Sequence, residues 1–289
     1  MSNYRQTSIP FERIAVAITL SPRIAEMVCE GFRFAQAFNA TLYFLHVGKN
    51  EVGSLTKIRS VINQYNKQNY PFELVVEEGD VVDTLLNTSK ELEIDLLIAG
   101  ALEKENTLKY LIGSVSRTIC RKAKCSVLML SEPSLHKTAF DRIVVSCIEN
   151  KKTPYTLDAA IYTGKHLQSK EIHLVKEDSL SNVVNLVEES VPEEDFVNFY
   201  RNKVIEENKI FCSLEEGRDF GSLCVKHKVL KGKPGLEIAN YTRKIQAELL
   251  VLNSPDSKLG ILDRFFPHNH EYILEDLPCS LLIIHTRFN

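Results

Sequence analysis

The chain has 289 residues, 44% of them hydrophobic and 25% charged, with a formal net charge of −3; the length favours two domains and the composition excludes global disorder. No apolar run reaches the ~18 residues of a membrane-spanning helix, Met1 to Pro10 lacks the apolar core of a secretory signal, and no Lys/Arg block gives a footprint for nucleic acid or an anionic membrane. Seven cysteines, odd in number and scattered, do not make a disulfide framework, so a reducing, cytoplasmic location and a small-molecule or protein partner are expected.

Two hydrophobic periods alternate along the first half. Glu12–Ile18 and Thr41–Val47 are short apolar runs of strand length, rich in β-branched and aromatic residues. Between them Arg23–Phe38 spaces its apolar residues as a helix does, with Pro22 tolerated at the start and Ser21 as its expected cap. A weaker helical pattern covers 49–68. Phe72–Glu77 then reads as a strand, Val81–Leu92 as a helix, Asp95–Ala99 as a buried strand, Gly113–Ala123 as a helix and Ser126–Leu130 as a last strand. Strands buried on both sides and alternating with helices imply a parallel sheet with helices on both faces, and a crevice at the carboxyl ends of its strands.

The second half repeats this order. Asp141–Cys147 matches Glu12–Ile18, Gly232–Asn253 matches Gly79–Gly100, and Cys279–Ile283 matches Cys125–Met129. The offset jumps between the second and third strands, which places an insertion within about 177–224. The expected fold is therefore α/β: two tandem doubly wound, flavodoxin- or Rossmann-like domains, 1–134 and 135–289. Each carries a five-stranded parallel sheet, and a pseudo-twofold relates them.

Chemistry concentrates in Gly100–Arg117. Gly100 ends a buried strand, and Gly113-Ser114 opens a helix after the connecting loop. Such a helix start offers backbone N–H groups, hydroxyls and a favourable dipole to a phosphate, with Ser116 and Arg117 close by. The plainer alternative makes Gly113 a turn former and Ser114 a helix cap. His46 reads as a structural histidine at a strand end, and Cys120 and Cys125 as small core residues.

The tandem halves, the element order and the Gly-Ser-Val-Ser turn resemble the universal stress proteins, in their two-domain form, over nearly the whole chain. Nucleotide-binding members carry Gly, two residues, Gly, nine residues, Gly-Ser. This chain keeps Gly100, Gly113, Ser114, Val115 and Ser116 in that register, with Ser21 also in its usual place. Glu103 stands where the pattern has Gly, and Thr19 where those members usually have Asp. A carboxylate beside phosphates costs on the order of 1 kcal/mol or more, and each ~1.4 kcal/mol is tenfold in affinity. The resemblance thus implies a non-catalytic regulatory protein of the stress response, acting as a binding or interaction module for an unknown protein partner. Its alternative is an adenine-nucleotide sensor holding ATP or AMP in the first half only, through Thr19, Gly100 and Gly113 to Ser116. No cofactor other than ATP is implied. The halves are expected to pair through their last strands, Ser126–Leu130 and Ser280–His285, with a homo-oligomer as a further option.

In the second half Pro267, His268 and His270 replace Gly113, Ser114 and Ser116, and no Gly pair precedes them. His268 and His270 have metal-ligand chemistry. In an extended segment, residues two apart share a side and could share an ion. No Ser–His–Asp or Cys–His arrangement assembles from the sequence, so no enzyme is expected.

Overall fold

The computed structural model describes residues 11–49, 51–103, 110–111, 113–136, 140–178, 193–254 and 268–285. The first half runs β1 (Arg13–Ala17), α1 (Ile24–Phe38), β2 (Thr41–Val47), α2 (Val52–Tyr65), β3 (Phe72–Glu77), α3 (Val81–Glu91) and β4 (Leu96–Gly100). The two-residue strands β5 (Leu102–Glu103) and β6 (Tyr110–Leu111) follow, then α4 (Ser114–Lys122) and β7 (Ser126–Leu130). The second half begins β8 (Arg142–Ser146), α5 (Thr153–His166), β9 (Glu171–Asp178) and α6 (Glu193–Glu215). It ends β10 (Cys224–Lys231), α7 (Leu236–Lys244), β11 (Leu249–Asn253), α8 (His268–Glu275) and β12 (Ser280–Ile284).

Ten of these strands form one sheet in the order β10-β9-β8-β11-β12-β7-β4-β1-β2-β3. Every pairing in it is parallel except β7 with β12. Each half thus has the Rossmann strand order, with the first strand beside the fourth, and not the flavodoxin order. The reversal of winding puts a topological switch point at the carboxyl ends of β1 and β4, and another at those of β8 and β11.

The last strands join the halves. Leu281 lies opposite Met129, Leu282 opposite Leu128 and Ile283 opposite Val127. All six side chains are at most 2% exposed, and full burial of a Leu or Ile is worth ~1.5–3 kcal/mol. The ends of this seam are also tied: Ser131 N donates to Ser280 Oγ at 3.3 Å and His285 N to Ser126 Oγ at 3.3 Å.

The strict alternation within β7 and β12 sends Leu128 and Leu282 to one face and Val127 and Ile283 to the other. On the first face α1 meets α5: Phe38 stacks on Tyr162 at 5.3 Å and packs edge-on to Phe11 at 5.4 Å. The opposite face is covered by Leu85 of α3, Ile119 of α4, Ile238 of α7 and Ile273 of α8. Strand starts are fixed alike in both halves. Arg13 N donates to Asp95 Oδ2 at 2.8 Å, and Arg142 N to Glu248 Oε2 at 2.9 Å. The extra length of the second half lies between β9 and β10, where α6 has 23 residues against 14 in α2.

Candidate functional site

A cavity of about 610 Å³ opens at the first switch point. Its floor is the ends of β1, β2 and β4, through Ala17, Leu45 and Ala99, and its walls come from α1, α3 and α4, through Met27, Leu85 and Ile119. Gly100 ends β4 at the floor, where a Cβ would lie 3.4 Å from Met27 Sδ. Pro133, in the segment leading to the second half, closes one side. That segment is held to α1: Glu30, 3% exposed, accepts from Ser134 N at 3.0 Å, and Arg33 donates to Ser134 O at 3.0 Å.

Thr19, Gly100, Val115 and Ser116 all line this cavity. Gly113 and Ser114 stand beside it, as the N-cap and first residue of α4. Gly113 caps without a side-chain hydrogen bond, and Ser114 lies inside the helix, so Ser114 is not the cap. The amides of the first turn have no intrahelical acceptor, and this positive end of α4 abuts the cavity through Val115 and Ser116. Ser21 also lines the cavity but is not the cap of α1. That helix starts at Ile24, with Arg23 at the N-cap, and Ser21 accepts through its carbonyl from Ile24 N at 3.2 Å. Sequence reasoning missed Arg23. It lines the cavity and its guanidinium donates to Ser131 O at 3.4 Å. Its position next to Pro22, at the mouth of the first crossover, was the available signal. The side chain of Glu103 lies outside the described ones.

The second switch point is built from the same backbone with different side chains. Arg142 pairs with Glu171 as Arg13 pairs with Thr41, and β11 sits against β8 as β4 sits against β1. This register puts Asn253 in the place of Gly100, Ser254 of Ala101, Lys152 of Arg23, Thr156 of Met27 and Glu177 of Val47. Asn253 Nδ2 donates to Thr153 Oγ1 at 3.0 Å, and Lys152 Nζ to Ser254 O at 3.0 Å and Oγ at 3.2 Å. Glu177 accepts from Gly235 N at 2.8 Å and Ile238 N at 3.0 Å, so its carboxylate sits on the start of α7. Burial nonetheless pushes its pKa up against those two bonds. Lys231–Gly235 is thus the turn into α7 and receives a carboxylate of the chain itself.

His268 and His270 open α8, which is helical rather than extended, so the two-residue spacing that shares one side of a strand does not do so here. Their side chains lie outside the described ones. Among the described residues no three His, Cys, Asp or Glu side chains gather as a metal site. His46 is 8% exposed, with Nδ1 3.1 Å from Ile18 O, a brace between β2 and the end of β1. All seven cysteines are free thiols. Burial pushes the pKa of Cys120 and of Cys147 up to about 12, which removes thiolate reactivity there. No helix among the described residues is long and apolar enough to cross a membrane.

The sequence model of the universal stress protein family matches residues 10–131 and again 140–285. Among solved structures, a protein of unknown function from Pseudomonas aeruginosa superposes with a TM-score of 0.69 at 12% identity, covering 96% of this chain and 93% of its own. A universal stress protein from Archaeoglobus fulgidus superposes at 0.67 with 16% identity, covering 96% of this chain and 98% of its own. At these identities the likeness is one of fold. No curated protein matches the chain.

Proposed function

The chain belongs to the universal stress protein family through both of its halves, and from that premise we propose that it is a cytoplasmic, non-catalytic regulatory protein whose first half takes a small ligand. The observation that carries this reading is the asymmetry of the switch points. The first has a cavity of about 610 Å³, within the ~300–1,000 Å³ usual for small-molecule sites. At the second, Lys152 and Asn253 hydrogen-bond across the corresponding crevice. The second half serves as a built-in partner, joined through β7 and β12 at an effective concentration that a separate subunit would not reach. Ligand occupancy is then read by a protein partner through the surface of the first half.

An adenine nucleotide is the second reading, favoured by the start of α4 with Gly113 at its N-cap. Native mass spectrometry of gently purified protein, followed by ATP titration calorimetry, tests both. Gly113→Asp is the informative variant: Asp is a favourable N-cap, so α4 is kept while a carboxylate is added where a phosphate would lie. A co-purifying nucleotide, or ATP heats that this variant abolishes, supports the nucleotide. A different small molecule bound once per chain supports the general reading. A ligand-free protein whose stability no small molecule raises overturns it.

A further inference from the structure

We propose that the first-half cavity takes an amphiphilic monoanion, with an apolar body against the strand ends and a single anionic head at Arg23; this rests on the reading of that cavity as the ligand site. The lining supports the apolar body. Among the described residues of the lining there is no Asp, Glu, Asn, Gln, His or Tyr, and the uncharged polar side chains there are the three hydroxyls of Thr19, Ser21 and Ser116. A sugar and base carry several donors that need buried acceptors, and desolvating them without partners is unfavourable. An alkyl or fused-ring body has no such demand and gains from every apolar wall.

The mouth carries the same chemistry outward. Leu20 is 45% exposed, and Val81 and Val115 are 42% exposed each. Val81 and Val115 line the cavity, and Leu20 lies between its lining residues Thr19 and Ser21. Three of the seven exposed large apolar side chains among the described residues therefore sit around one opening. A body longer than the cavity would cover them as it leaves. Arg23 is the one charged residue among the described residues of the lining. Its planar fork suits a carboxylate, sulfonate or phosphate oxygen pair.

The test uses the full chain and two fluorescent probes of similar shape, the anionic anilinonaphthalene sulfonate and the neutral phenylnaphthylamine. The expected result is one anionic probe per chain, displaced by decanoate and not by ATP. Arg23→Gln should weaken the anionic probe about tenfold, the loss of one charge-assisted pair, and leave the neutral probe unchanged. Gly100→Leu should abolish both, since its side chain enters the cavity beside Met27; circular dichroism checks its fold. Displacement by ATP but not decanoate overturns the amphiphile and leaves the cavity as the ligand site. Equal losses for both probes in Arg23→Gln overturn the head-group assignment, and failure of both probes to bind overturns the amphiphilic class. Probe binding untouched by a folded Gly100→Leu overturns the site itself.

Discussion

At the end of β4 the first half has Gly100, facing the thioether of Met27; at the same register in β11 the second half has Asn253, 2% exposed and bonded to Thr153. Around the first position stand Val47, Ile24 and Ala101, and around the second Glu177, Thr153 and Ser254. One backbone plan thus gives an apolar cavity in one copy and a cross-linked polar plug in the other. The plug is not free of cost. Asn253 Oδ1 and Thr156 Oγ1 are buried with no hydrogen-bond partner among the described residues, and such groups cost ~1–3 kcal/mol each. A fold places a switch point, and its side chains decide whether that point is a site.

The sharpest way to break this contrast is to write the second crevice into the first. Gly100→Asn with Ile24→Thr installs the Asn253–Thr153 plug pair where the cavity lies. The amide then occupies ligand space, and any first-half ligand or probe should lose affinity by at least about tenfold. Thermal shift with and without the probe checks it. The variant should still melt cooperatively but lose its ligand-induced rise in Tm. An unchanged rise in Tm would put the ligand elsewhere.

Next in size is Lys152→Met, which removes the ammonium from Ser254 O and Oγ while keeping the apolar stem. A charged hydrogen bond between partly buried groups supports an expected loss of about 1.5 kcal/mol, or roughly 3–6 °C in Tm. First-half probe affinity should not move, because the two switch points lie on opposite sides of the β7–β12 seam. A parallel loss of probe affinity would mean that the crevices communicate through the seam.

Much of this contrast was legible in the sequence because strands buried on both faces leave continuous apolar runs. Thr41–Val47 and Ser126–Leu130 came out with the boundaries that the pattern gives, and Ser126–Leu130 meets Ser280–Ile284 at the seam as expected. Strand order was not legible, since parallel pairing leaves no local signature that separates the Rossmann order from the flavodoxin one. Thr19, Val115 and Ser116, which line the cavity, were singled out through a motif register. Arg23 and Lys152 were missed because they act through tertiary placement at the N-caps of α1 and α5. The helical state of His268–Glu275 was also missed: His268 and His270 read as an extended segment.

The smallest expected effect separates the halves by pH. At matching positions in the second strands, the first half has Tyr43, whose hydroxyl accepts from Arg13 at 2.8 Å, and the second has His173. His173 is 3% exposed, with Nδ1 2.8 Å from the Tyr241 hydroxyl and Nε2 3.1 Å from Glu171. Burial lowers its pKa below the usual 6.5, outweighing the Glu171 carboxylate that pulls it up, with Lys226 and Arg142 lowering it further. The folded chain therefore binds this proton later than the unfolded chain as pH falls. Its stabilising contribution is fully present above pH 6.5 and declines as pH falls through 6.5 towards the folded value. Glu171 is held low by its hydrogen bonds to Lys226 and His173, so its own contribution is lost only as pH falls below 4.5. Replacing His173 with the first-half residue, His173→Tyr, should flatten the urea-midpoint profile between about pH 7 and pH 5 and leave the steeper fall at lower pH. If the upper decline survives in His173→Tyr, the acid sensitivity belongs to other groups and the halves do not differ in this respect.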